Sequence, residues 1–225
     1  MEYKNKYNMT LEQNVFVAKR NIVDYIWKSA NIEGINITFP ETQTIYDGGN
    51  VSHLRVDEIV TINNLKHAWQ FVLNSLKNEL DFNYLCSINS LVGSNLVENA
   101  GKLRYGDVSI GGTEWRPEIP NRDEIEQNIE NYKNIECTTE RAISIMCYLM
   151  RTQAFWDGNK RTAMLFANSE MIRNGAGIIS ISGNQKNEFG ELLTEFYETN
   201  NMESLKKWIY DNAIDGIEFN ENVKQ

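Results

Sequence analysis

Only three prolines interrupt this 225-residue chain, at Pro40, Pro117 and Pro120. Proline lacks a backbone donor and clashes with the preceding turn, so it ends helices. The long intervals between these three positions are therefore free to run as helix, and the apolar spacing uses that freedom. "TLEQ" (Thr10 to Gln13) fits a capping box, after which Val15, Ala18, Ile22 and Ile26 share one helical face. Helical patterns follow at about 56–78, 81–95, 122–132, 138–152, 186–198 and 202–213. A further helix, "TAMLFANSEMIR", runs into the C-cap signal "NGAG". "YDGGN" (Tyr46 to Asn50) reads as a loop, as do the surroundings of the prolines. One stretch alternates like strand: "DVSIGGTEWRP" (107–117), a hairpin turning at Gly111 and Gly112. The expected fold is mainly α with one β-hairpin. Its organisation is an N-terminal helix and arm over 1–50, a core over 51–215 and a polar tail over 216–225.

Composition narrows the setting. Hydrophobic residues make up 41% of the chain and mean hydropathy is -0.48, as in a soluble globular protein. No apolar run is long enough to span a bilayer, and the polar start "MEYKNKYNMTLEQ" is unlike a signal peptide. Cys86, Cys137 and Cys147 are odd in number and lack metal spacing, which points to reduced thiols and a cytoplasmic location. A net charge of -9 argues against a nucleic-acid binder. A local cluster of cations within so acidic a chain is correspondingly informative.

That cluster lies in "RTQAFWDGNKRTA" (Arg151 to Ala163). A buried helix bearing Ala142, Ile145, Met146 and Leu149 on one face enters it, and a second helix leaves it. "FWDGNK" is thus a short loop that delivers backbone N–H groups to a helix N-terminus. Unpaired donors and the positive end of the helix dipole make such a place an anion site. Gly158 permits close backbone approach, while Lys160 and Arg161 add charge, Arg161 with a fork suited to phosphate. Asp157 would repel a phosphate unless a cation sat between them, and Mg²⁺ is the usual one. From these residues alone, a capped helix–loop–helix with a surface salt bridge accounts for the pattern equally well.

"QAFWDGNKR" resembles the signature of the Fic family, H-x-F-x-[D/E]-G-N-[G/K]-R, and matches it at Phe155, Asp157, Gly158, Asn159, Lys160 and Arg161. "GKLRYGDVSIGGTEWRPEIP" is similar to the family's segment ending in a β-hairpin flap, which aligns a target beside the active site. "SANIEGI" resembles the family's inhibitory motif, [S/T]-x-x-x-E-[G/N], at Ser29, Glu33 and Gly34. The resemblance covers about residues 20 to 212 and implies a Fic-type helical bundle. It also implies transfer of AMP from ATP to a Ser, Thr or Tyr hydroxyl of a target protein, with Mg²⁺ on the phosphates. Carried over residue by residue, Asp157 binds the metal, Asn159 holds phosphate oxygens, Arg161 neutralises charge and Phe155 anchors the loop. Ile110, Gly111, Gly112 and Thr113 take target-docking and adenine-side positions. "FYETNNMESLKKW" makes Tyr197 and Asn200 adenine candidates, while Trp208 reads as core.

The chain departs from that pattern at three places. The family's general-base His is Gln153, whose amide cannot take a proton near neutral pH, although it can hydrogen-bond a hydroxyl or a phosphate. His53 and His67 lie far upstream and read as ordinary surface or half-buried residues. General-base assistance is worth about a hundred- to ten-thousandfold in rate, so the implied outcome is a slow enzyme or a binder. A second Arg found in adenylylating members is Met164 here, leaving Glu33 to meet Lys160, Arg161 or solvent. The third departure is Lys160 where many members have Gly, and "NKRTA" is also similar to the death-on-curing toxins, which phosphorylate their target and also lack the second Arg. "SNLVEN" (Ser94 to Asn99) fits the loose inhibitory pattern too and reads as a helix end with its loop.

Two readings follow. One is a slow transferase of AMP or phosphate; the other is a nucleotide-binding regulator or antitoxin-like partner without chemistry. Both keep ATP, and the first adds an unidentified target protein. Neither calls for nucleic acid or a membrane, and a homodimer is left open.

Overall fold

The computed structural model describes residues 2–219, which form ten α-helices and one two-stranded antiparallel sheet. Residues 220–225 of the expected polar tail lie outside the described residues. The helices are α1 (Leu11–Arg20), α2 (Ile22–Ile32), α3 (Phe39–Tyr46), α4 (Val56–Asn74) and α5 (Phe82–Val92). They continue as α6 (Arg122–Lys133), α7 (Thr138–Thr152), α8 (Asn159–Arg173), α9 (Lys186–Thr199) and α10 (Glu203–Asn212). The mainly α class expected from the sequence is the observed one. No described helix is long and apolar enough to cross a membrane.

A helical hairpin of α7 and α8 forms the centre. Its interior is built from Ala142, Ile143, Met146 and Met150 on α7 and from Ala163, Leu165, Phe166 and Met171 on α8, all buried. α4 and α5 close one flank and α9 with α10 another, while α1 to α3 join the same apolar cluster. The N-terminal segment forms two helices rather than one, parted at Asn21, which keeps φ at -107° and serves as cap to both. α1 begins with the expected capping box, Gln13 N–H to Thr10 Oγ1 at 3.2 Å and Thr10 N–H to Gln13 Oε1 at 2.8 Å.

Two assignments change. α3 occupies a stretch read as loop because of Pro40, yet Pro40 sits in its first turn, where a missing N–H costs nothing. Thr38 and Glu41 form the capping box that starts it. The alternating segment 107–117 forms no strand. Its backbone makes turns around Gly112, and side chains rather than ladder bonds hold it. The sheet lies elsewhere, β1 (Ile178–Ile179) pairing with β2 (Ile214–Asp215) in the register Ile178 with Asp215 and Ile179 with Ile214.

The N-terminal arm is fastened along its length. Asn5 Oδ1 accepts from Thr139 N–H at 3.1 Å, capping α7 from a distance where its own N-cap residue Cys137 does not. Tyr3 packs edge-on to Tyr210, and Met9 N–H bonds to Gly175 C=O at 2.9 Å. Gly175 ends α8 at φ +69°, and a Cβ there would stand 1.8 Å from Met9 oxygen. Gly175→Ala therefore combines a left-handed strain with a clash against backbone, and is expected to cost more than about 2 kcal/mol. Urea denaturation measures it; a loss below about 0.5 kcal/mol would mean that the arm is not seated there.

Candidate functional site

The loop between α7 and α8 is fixed from three directions. Asn159 closes it locally, accepting from Phe155 N–H at 2.9 Å and donating to Phe155 C=O at 2.8 Å. Asn89 on α5 holds it from below: its amide donates to Asp157 C=O at 3.0 Å and to Thr162 Oγ1 at 3.1 Å, and accepts from Gly101 N–H at 2.8 Å. Arg104 holds it from the side, bonding to Gln153 C=O at 2.6 Å through Nε, while its own N–H reaches Ala154 C=O at 3.0 Å. Gly158 has φ +76°, and a Cβ there would meet Val92 Cγ1 at 2.7 Å, so this position admits glycine alone.

Gly158 is also the N-cap of α8, and no side chain caps that end. The first helical bond runs from Thr162 N–H to Gly158 C=O at 2.8 Å, leaving the N–H groups of Asn159, Lys160 and Arg161 at the mouth of the helix. They face a cleft of about 360 Å³, within the usual range for small-molecule sites. Glu33, Ile110, Gly111, Gln153, Phe155, Asp157, Gly158, Asn159, Lys160 and Tyr197, all singled out in the sequence, line this cleft. Val108, Ser109, Trp156, Gly190, Leu193 and Thr194 complete it and were not foreseen.

The remaining candidates stand apart. Thr113 turns to Glu198, donating at 2.8 Å, and neither it nor Gly112 lines the cleft. Asn200 borders a separate depression beneath residues 115–121. Arg161 and Ser29 border a small cavity between α2 and α8, together with Met164, which is buried. Gly34 closes a Schellman end on α2, with φ +92°, Ile35 N–H to Ala30 C=O at 3.0 Å and Gly34 N–H to Asn31 C=O at 3.0 Å. That end places Glu33 at the cleft. His53 lies on the surface beside Glu41.

Charge beside the cleft centres on Arg161, which does not line it and whose side chain is 6% exposed. Its Nη2 pairs with Asp157 Oδ2 at 3.1 Å, and its Nε, which has no hydrogen-bond partner, lies 3.9 Å from Glu33 Oε2. Lys160 Nζ is 3.5 Å from Glu33 Oε1. No hydrogen bond among the described residues joins the Glu33 carboxylate to either cation, so it neutralises them at a distance. Asp157 is 57% exposed and lines the cleft.

Gln153 occupies the strained end of α7 at φ 47° and ψ 52°, and is buried. Its Nε2 donates to Met150 C=O at 2.6 Å and to the Tyr197 hydroxyl at 3.2 Å, and its Oε1 accepts from Asn159 at 3.1 Å. Every polar atom of this amide is thereby engaged by the protein. Tyr197 stacks on Trp115 at 5.3 Å, and burial pushes its phenol well above the ordinary range, so it stays protonated. Arg151 also packs over the Trp115 ring and donates twice to Tyr197 C=O. These contacts, with Arg104 bonded to Gly106, Pro117 and Glu118 carbonyls, pin the 107–117 segment over the cleft.

Residues 79–171, which contain α5, this segment and the loop, match the family model described as Fic/DOC family. No curated protein matches the chain significantly. Among solved structures it is similar to Fic-1 (residues 134–508) from C. elegans, with TM-score 0.73 and 20% identity over 87% of this chain and 62% of that one. The chain thus spans about three fifths of the length of that structure. It is also similar to a Fic domain containing signaling protein from Bacteroides thetaiotaomicron, with TM-score 0.72 and 16% identity over 88% and 80%. A third is BepC, a VirB-translocated effector protein from Bartonella tribocorum with bound AMPPNP, with TM-score 0.53 and 16% identity over 75% and 92%.

Asn89→Ala removes three hydrogen bonds from a 1% exposed site. It is expected to destabilise the chain by about 1–3 kcal/mol and to speed amide exchange across the α7–α8 loop. Unchanged stability and exchange would mean that the loop holds itself.

Proposed function

Because residues 79–171 are a Fic/DOC-family segment carried in the Fic helical fold, we propose that the chain binds ATP with Mg²⁺ and transfers AMP to a protein hydroxyl slowly or not at all. The uncapped start of α8, opening on a cleft beside Lys160, carries this reading. Three free N–H groups, a helix dipole and an ammonium group suit the phosphates. The orphaned Nε of Arg161 fits the same ligand: a phosphate oxygen displacing Glu33 would supply its missing partner. A neighbour of the same fold holds an ATP analogue.

Asp157 fits Mg²⁺, which is commonly held by one or two carboxylates and the substrate's own phosphates. Bound there, the ion would neutralise charge developing on the transferred group. Arg161 and the α8 amides add fixed positive potential at the same place. Phe155, buried beneath the loop, keeps these groups in position.

Chemistry is limited at Gln153. A hydroxyl attacking phosphorus must lose its proton, and an amide whose donors and acceptor are already engaged has neither the basicity nor the freedom to take it. Tyr197 beside it is protonated and offers no base. The same observation favours the second reading, a nucleotide-binding regulator or antitoxin-like partner, over a phosphate-transferring enzyme, which needs a base equally. The cytoplasmic location inferred from the thiols suits either.

Calorimetry tests the binding. Wild type should bind ATP with Mg²⁺ and lose most of that affinity in EDTA or as Asp157→Asn. Absence of binding both in wild type and in Glu33→Gly overturns the reading. Labelled ATP then tests transfer: Gln153→His should raise auto-modification above wild type, and equal, appreciable transfer by both would show that Gln153 is not the bottleneck.

Glu33 is the site's regulator in this reading, a carboxylate competing with phosphate for Lys160 and Arg161. Its separations of 3.5 and 3.9 Å, without a hydrogen bond, make its hold weak. Glu33→Gly is expected to tighten ATP binding by less than about tenfold, or about 1.4 kcal/mol. A hundredfold gain in titration would mean a far stronger grip than these distances describe.

A further inference from the structure

α9 carries a glycine in its interior, Gly190, with Lys186 and Thr199 at the helix ends. Glycine is disfavoured there relative to alanine because it frees the unfolded backbone and packs nothing. Several other glycines are explained by the fold: a Cβ at Gly101, Gly158 or Gly175 would strike Cys86, Val92 or Met9. At Gly190 a Cβ would meet no heavy atom within 4 Å, and the backbone is ordinary helix. Packing within the chain does not call for this glycine.

The space its missing side chain leaves belongs to the cleft. Gly190 lines it with Leu193, Thr194 and Tyr197, which follow at the three-, four- and seven-residue spacings of one helical face. Ile110 and Gly111 also line it, and Gly111 likewise has nothing near its Cβ position. The cleft is therefore walled by bare backbone on α9 and on the overhanging segment, with apolar contacts from Leu193 and Ile110. Thr194 and Ser109 bring hydroxyls to the same space. A flat ring can lie against such walls, and a methyl or larger group on α9 would occupy its place.

We propose that Gly190 sets the ligand specificity of the cleft, its absent side chain leaving the slot that admits the base of a purine nucleoside triphosphate. The inference rests on the ATP-binding reading, which places the phosphates at the start of α8 and so leaves the base for the Gly190 wall. It makes the glycine a concession of helix stability to ligand shape.

The test uses the full chain with two probes, Mg-ATP and Mg-tripolyphosphate, the second lacking a base. Gly190→Leu should weaken Mg-ATP at least tenfold and leave Mg-tripolyphosphate within twofold of wild type. Gly190→Ala, the milder change, should weaken Mg-ATP by a few fold while raising Tm by about 2 °C, since it improves the helix. Binding loss accompanied by a higher Tm excludes misfolding as its cause. Wild-type Mg-ATP affinity in both variants overturns the proposal and leaves the ATP reading standing. Equal loss of both probes overturns it too, because the effect would then lie at the phosphate end. Failure of both wild type and Glu33→Gly to bind either probe overturns the ATP reading and this proposal together.

Discussion

Arg104 is 1% exposed, and every hydrogen bond its side chain makes ends on a backbone carbonyl, at Gln153, Gly106, Pro117 and Glu118. Desolvation lowers its pKa from the usual arginine value without bringing it near neutrality, so it remains a buried cation. A charge in that setting is tolerable only where donors are fully matched, and charge-assisted bonds to several carbonyls supply the match. The consequence is mechanical. One side chain joins the end of α7, the start of the overhanging segment and its return, so floor and roof of the cleft share a fastening. Asn89 does the same between α5 and the first turn of α8.

On that frame, Gln153 is a structural tie. Its amide links α7, α9 and Asn159, two donations and one acceptance. A neutral imidazole has one donor and one acceptor and cannot make all three bonds. The three bonds of this amide thus tie together the elements around the cleft.

The local features of the fold were legible in the sequence. Capping at Thr10, the "NGAG" stop and the glycine at 158 each act within a few residues, so a short pattern contains the whole cause. α3 was missed although "TFPE" holds its capping box, because Pro40 was weighed as a breaker rather than as a first-turn residue. The alternation over 107–117 misled for another reason: it reflects contacts to one side chain at a time, Trp115 on Arg151 and Thr113 on Glu198, with no strand alongside. Arg104, Asn89 and Gly190 leave no short-range trace. A buried arginine and a surface one look alike in sequence, and their partners lie 49 and 68 residues away for Arg104 and Asn89. Of the cleft, the sequence showed the loop, the charged residues, Ile110, Gly111 and Tyr197, and missed the α9 wall at Gly190, Leu193 and Thr194.

The N-terminal arm and α1 find partners far along the chain, and α2, packed mainly on α3 and α4, reaches the C-terminal end through Tyr25. Tyr3 meets Tyr210, Asn14 exchanges two hydrogen bonds with Gly177, and Tyr25 donates to Asp215 at 2.7 Å. On a ribosome, α1 and α2 would emerge long before any of those residues, with Val17, Ala18, Ile22 and Ile26 uncovered. Contacts of such separation form late and slowly. The arm and α1 are thus made early and seated late, whereas α2, which ends at Glu33, meets α3 and α4 soon after it is made.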